Sequence, residues 1–210
     1  MGLLKSLFST KTDQPNSYIP AEKAKIPPSD SDKAIANMQK ADEVYKVDGN
    51  LEKRIAVYEK YLLKKPLWNA SNFCLRLSDM YLKSGQNDKA WGYLNQMHLW
   101  TMDPNCPISD VHKIRFSQFK LLKTEKRHLN ALIMLVSGYI VWAYSTKDSY
   151  FNKNRFLKEV RTTAKALGFS ESEIIAFADL LENGIKTKTI GKSDAKQFCM
   201  EYLKRIENNE

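Results

Sequence analysis

The residues that could carry chemistry are few in this chain and widely spaced. His98, His112 and His128 are the only histidines, and no two stand at a ligand spacing such as HExxH. His128 falls at an expected helix start beside Lys126 and Arg127, a poor setting for a general base. The three cysteines, Cys74, Cys106 and Cys199, include no CxxC pair, and their odd number excludes a complete disulfide framework. They read as small buried hydrophobes. The 8 glycines are scattered, without GxxxxGK[ST] or GxGxxG, so the sequence offers no phosphate-cradling loop. A metal site, a catalytic triad or a nucleotide loop needs a constellation that these spacings do not supply. The expectation is a non-enzymatic protein with no cofactor and no metal.

Charge and aromatic side chains remain. The chain carries 33 Lys+Arg against 24 Asp+Glu, a formal net charge of +9. The excess is local: residues 111–168 hold 12 basic and 3 acidic groups, whereas 169–210 hold 6 basic and 8 acidic. A localised positive field suits an acidic peptide, a phosphate-bearing polymer or an anionic membrane surface. The same stretch contains Phe116, Phe119, Tyr139, Tyr144 and Tyr150, the ingredients of a base-stacking platform. Phe119, however, is spaced like a core residue, and no helix-turn-helix, zinc finger or RNA-binding signature accompanies the aromatics. Trp68, Trp91, Trp100 and Trp142 read as core and inter-helix packing.

The elements that must position these residues are helical. With 210 residues, 43% hydrophobic and 27% charged, the composition is that of a globular chain long enough to bury a core unaided. Only 8 Gly and 7 Pro argue against a loop-rich all-β fold. From Lys33 onward apolar residues recur at three- and four-residue steps. Ile35, Met38, Ala41 and Tyr45 make one stripe, and Ile55, Tyr58 and Leu62 another. Breaks at Asp48-Gly49-Asn50, Lys65-Pro66, Ser84-Gly85-Gln86 and Asp103-Pro104-Asn105 divide the chain into short helices joined by tight turns. Leu129–Tyr144 is the longest apolar run, too short as a helix for a membrane core of about 30 Å. It reads as a helix buried at the domain centre.

Before Lys33 the pattern changes. Leu3, Leu4, Leu7 and Phe8 share one side of a short amphipathic segment that could dock on the protein or dip into a membrane surface. Lys5 interrupts the run too early for a signal-peptide core, and Gly2 with Ser6 fits the M-G-x-x-x-[ST] acylation pattern. Pro15, Pro20, Pro27 and Pro28 among polar residues mark 13–32 as a linker. The expected division is therefore 1–32 as a flexible N-terminal segment and 33–210 as the helical domain.

Gly49 through Pro66 resembles the second half of a tetratricopeptide repeat, with Gly49, Tyr58 and Pro66 at the matching places and Tyr45 at the aromatic of the first helix. Arg54 stands where that repeat has a small residue, and Tyr61 replaces the second one, which implies looser helix contact in this unit. Tyr81, Gly85, Ala90 and Leu94 repeat the positions of Tyr45, Gly49, Arg54 and Tyr58 at a displacement of 36 residues. A third unit would run from Val111 to Ala143 with Ala131 at the small position and no turn glycine. The resemblance implies an all-α fold of stacked antiparallel helical hairpins, a TPR-like solenoid with units at about 33–66, 69–104 and 111–144. Residues 149–207 would form a C-terminal helical cap, with a helix over Ser149–Leu167, a capping box at Ser170–Glu173 and a last helix over Ser193–Ile206.

By the same resemblance, the first helix of each unit lines a concave groove. It supplies Gln39, Glu43 and Lys46 from the first unit, Asn72, Leu75 and Asp79 from the second, and Lys113, Phe116, Lys120 and Lys123 from the third. The functional expectation is a cytoplasmic interaction scaffold or adaptor that binds an acidic or C-terminal peptide of another protein. One alternative is a membrane-peripheral protein anchored by Leu3, Leu4, Leu7 and Phe8. A second is a helical module that binds nucleic acid.

Overall fold

The computed structural model describes residues 28–63, 67, 70–103, 110–145 and 153–207. Among these residues the protein is all-α, with nine helices and no strand. They are α1 (Pro28–Val47), α2 (Leu51–Leu62), α3 (Ser71–Lys83), α4 (Asn87–Met102), α5 (Val111–Thr124), α6 (His128–Tyr144), α7 (Lys153–Lys165), α8 (Glu171–Lys186) and α9 (Ala195–Glu207). The leader with Leu3, Leu4, Leu7 and Phe8 lies outside the described residues, as do Pro66, Trp68, Pro104, Cys106 and Tyr150. Helix α1 begins at Pro28 rather than Lys33, because proline in a first helical turn lacks only an N–H that has no partner there anyway. No helix among the described residues is long and apolar enough to cross a membrane, and the Leu129–Tyr144 run is the buried helix α6.

Five helix ends close in the same way. Gly49, Gly85, Lys126, Gly168 and Lys188 each take a left-handed φ, between +58° and +90°. The next residue's N–H then donates to a carbonyl five positions back: Asn50 to Tyr45, Gln86 to Tyr81, Arg127 to Leu122, Phe169 to Ala164 and Thr189 to Gly184. This is the Schellman cap, which satisfies a carbonyl the helix leaves unpaired. Glycine announces three of these ends in the sequence. The other two are lysines, which hold the same conformation against the steric cost of a Cβ, so the α5–α6 connection makes its turn without a glycine. At the other polarity, Asn50 caps α2 through its side chain, and Ser170 with Glu173 forms the reciprocal capping box at the start of α8.

Successive helices pack on one another from α1 to α8; in addition α3 lies against α5, and α9 returns to α6. Two apolar cores result. The N-terminal one gathers Met38, Tyr58, Leu77, Tyr81, Ala90, Leu94 and Trp100; the C-terminal one gathers Leu132, Val136, Ile140, Phe156, Phe177 and Tyr202. Helix α5 belongs to both. Ile114 and Leu121 face the first core, while Phe116, Phe119 and Leu122 face the second. Gly138 on α6 lets α5 close in, since a Cβ there would stand 3.3 Å from both the Arg115 Cβ and the His112 carbonyl.

Arg54 corrects one expectation. At the place of the usual small residue, its guanidinium reaches across to α1 and donates twice to the Asp42 carboxylate, at 2.6 and 3.2 Å. The Tyr58 hydroxyl donates to the same carboxylate at 3.1 Å, and Arg76 of α3 donates to that hydroxyl at 3.2 Å. The α1–α2 contact is thus bridged by a nearly buried ion pair rather than loosened. Burial alone would raise the Asp42 pKa, but the hydrogen bonds and charge of Arg54 outweigh it and hold the carboxyl below its ordinary value.

Candidate anion-binding pocket on α5 and α7

Three of the expected third-unit residues converge. Phe116, Lys120 and Lys123, with Phe119 and Thr124, form one wall of a cavity of about 390 Å³. Arg155 and Glu159 of α7 form the other wall, and Leu82 of α3 closes an edge. The two lysines are a single turn apart on α5, which puts them on one side of the helix. Arg155 and Glu159 are likewise one turn apart, each directly preceding a residue of α7's buried stripe, Phe156 and Val160. That flanking position holds their polar ends at the edge of the core.

The cations sit on aromatic faces. The Arg155 guanidinium lies 4.3 Å from the centre of the Phe116 ring, with the Lys120 ammonium 5.6 Å from that ring and the Lys123 ammonium 5.6 Å from Phe119. Such contacts attract a cation to the ring face by about 0.5–1 kcal/mol at exposed sites. Each lysine also has an acidic neighbour on another helix: Lys120 bonds Asp79 of α3 at 3.3 Å, and Lys123 bonds Glu159 at 2.8 Å. The lysine side chains are each 35% exposed, so these pairs contribute at most about 1 kcal/mol each and exchange readily.

The remaining expected residues are placed otherwise. Asp79 joins the pocket's rim through Lys120, whereas Gln39, Glu43, Lys46 and Asn72 are exposed on α1 and α3 and do not line it. Lys113 pairs with Asp110 at 3.2 Å at the start of α5 and also stays outside. Leu75 and Phe116 are not open contact residues: they are 6% and 1% exposed and belong to the cores. The register places them there because α3 and α5 are crowded on two sides, leaving only a narrow solvent strip. Burial also withdraws three of the five suggested aromatics from a base-stacking surface, and Tyr150 lies outside the described residues. Phe116, Phe119 and Tyr139 are interior, and the Tyr144 hydroxyl is engaged with the Ile185 and Ile190 carbonyls at 3.2 and 2.7 Å.

Segment charges are redistributed by folding. Asp79, Asp110 and Glu171, all outside 111–168, pair with Lys120, Lys113, Arg161 and Lys165. The positive excess of that stretch is therefore partly answered by acids from α3 and α8 and by the residue before α5. Arg155 and Glu159 are pocket residues that sequence reading missed; their four-residue spacing beside the apolar stripe was the available signal.

A second polar cluster lies between α4, α5 and α6. The Gln118 side-chain amide donates to Asn95 at 3.2 Å, and Arg115 Nη1 donates to Gln118 at 3.1 Å and toward the Met134 sulfur at 3.6 Å. Arg115 Nη2 stands 2.9 Å from His98 Nε2. A guanidinium cannot accept, so Nε2 must be the acceptor and the imidazole proton must sit on Nδ1. Burial and the adjacent guanidinium hold the His98 pKa down to about 4, and burial lowers that of Arg115. Among the described residues no three His, Cys, Asp or Glu side chains gather as metal ligands. Cys74 and Cys199 are buried, and burial pushes the Cys199 thiol well above its ordinary pKa. Compared with known proteins, the chain matches no family model, no curated protein and no solved structure.

Proposed function

We propose that this chain is a non-enzymatic scaffold of stacked, TPR-like helical hairpins that holds an acidic segment of another protein against α5 and α7. The observation that carries the reading is the convergence of Lys120, Lys123 and Arg155 on one cavity, each over a phenyl ring. Their internal carboxylate partners are partly solvated, so a partner's aspartates or glutamates can exchange with Asp79 and Glu159 at little cost. Leu82, partly exposed at the edge, gives the segment an apolar contact beside the charges. The repeat-like stacking is supported by the equivalent turns at Gly49 and Gly85 and by burial of Tyr58, Ala90 and Leu94, which stand in the matched register.

The test is fluorescence anisotropy with a labelled Asp/Glu-rich peptide and the full chain. Lys120→Gln with Lys123→Gln is expected to weaken binding at least tenfold at physiological salt, while Lys113→Gln changes it less than twofold. Affinity should fall steadily as salt rises, because rim charges are screened. Equal loss in the Lys113 variant, or none in the double variant, removes the pocket as the binding site.

A further inference from the structure

We infer that the cluster around Arg115 and His98, on the α4–α5 seam and separate from the pocket above, is a binding site for a single oxyanion, a carboxylate or a phosphate. Its peculiarity is an excess of donors over acceptors. Arg115 is largely buried, yet among the described residues no carboxylate lies within ion-pair distance of it. Its partners, Gln118, Met134 and His98, are all neutral groups. The Arg115 Nε–H has no hydrogen-bond partner, and neither has the His98 Nδ1–H, although both atoms are covered. A covered donor without an acceptor costs about 1–3 kcal/mol, and an uncompensated buried charge costs more. An oxyanion bound beside the two would offer both donors an acceptor.

The geometry states what kind of acceptor fits. Nη1 is committed to Gln118, so the Nε–Nη2 edge of the guanidinium remains, shared only with the His98 ring. That edge is the planar fork that grips two oxygens of a carboxylate or phosphate. For the fork to open, His98 turns aside: its ring is only partly buried and sits on Nη2 as a neutral acceptor, a weaker partner for a guanidinium than an anionic oxygen. Gln118 and Asn95 stay in place and hold the guanidinium plane through their chain of bonds. A hydrophobic residue of similar length at 115 would relieve the donor excess without losing packing, so replacing Arg115 is expected to cost no stability in the absence of an anion.

The experiment follows the Arg115 Nε–H cross-peak in ¹H–¹⁵N spectra of the full chain, with inorganic phosphate, sulfate or acetate added at ionic strength fixed by chloride. The cross-peak is expected to shift and saturate at millimolar anion, and the melting temperature to rise in parallel. Arg115→Met should melt at or above the unliganded wild type and lose the anion-dependent rise. Lys120→Gln with Lys123→Gln should keep it, which separates this site from the pocket on α5 and α7. A response to phosphate and sulfate but not acetate assigns a tetrahedral dianion; a response to all three assigns the carboxylate-type fork. A cross-peak that stays still with every anion overturns the inference, as does an undiminished thermal response in Arg115→Met or an Arg115→Met protein that is markedly destabilised.

Discussion

The ion pair between α1 and α2 can be weighed by a double-mutant cycle. The Asp42 side chain is 6% exposed and accepts from both Arg54 and Tyr58, whereas the Arg54 side chain is 21% exposed. Removing the cation strands a nearly buried carboxylate with only a hydroxyl donor. Arg54→Ala is therefore expected to cost about 3 kcal/mol, the low end for breaking a buried pair because the site is not sealed. Asp42→Ala costs less, about 1.5 kcal/mol, since the long arginine can turn its head to water. The double variant should lose about 2.5 kcal/mol, so the two residues couple by about 2 kcal/mol. Urea denaturation of the four proteins measures this through the midpoint, provided the slope is unchanged. The pH dependence has a definite sign. The folded Asp42 carboxyl titrates below its ordinary value of 3.8, so its contribution is full above that value and disappears as pH falls through the folded pKa. The deficit of Asp42→Ala relative to wild type should accordingly shrink in acid. A coupling under about 0.5 kcal/mol, or a deficit independent of pH, would show that the pair does not bind α1 to α2.

His98 loses its contribution in the same direction, but over a higher pH range. Its folded pKa of about 4 lies below the ordinary 6.5, so the unfolded chain takes up the proton first and stability drops as pH falls from 6.5 toward 4. The full gap corresponds to about 3 kcal/mol; with partial exposure of the ring, about 1.5 kcal/mol is expected. His98→Gln, which keeps an acceptor for Arg115, should flatten the stability curve over that range, and parallel curves for the two proteins would exclude the assignment. Lys126 holds a left-handed φ of 58° with an exposed side chain. Lys126→Gly should relieve that strain and raise stability by about 0.5–1 kcal/mol, read as a higher melting temperature; a lower one would mean the lysine side chain contributes more than its backbone costs.

The helices were legible because each buries one stripe at a fixed period, and Gly49, Gly85 and Gly168 marked three ends by the one residue type with free access to positive φ. Lys126 and Lys188 reach the same conformation without that signature, so the α5–α6 turn could be placed only by where the apolar stripes stop. Lys120 and Lys123 were found because they share a helix face, a local property. Arg155 and Glu159 complete the pocket from a helix whose placement depends on packing between distant segments, which spacing along one helix does not encode. Leu75 and Phe116 were assigned to a groove because the repeat pattern assumes one exposed face per inner helix. In α3 and α5 neighbours cover both sides, and only the polar positions between them reach solvent.

That shared position of α5 has a consequence for motion. A helix with one packed side can rock against its neighbour, but α5 cannot turn without repacking Ile114 and Leu121 on one side and Phe116, Phe119 and Leu122 on the other. Its amides are therefore expected to open only when both halves of the molecule loosen, with an opening free energy near that of global unfolding. The lysines of its solvent strip stand on that fixed backbone, so a segment docking against them has little backbone entropy to take from the helix.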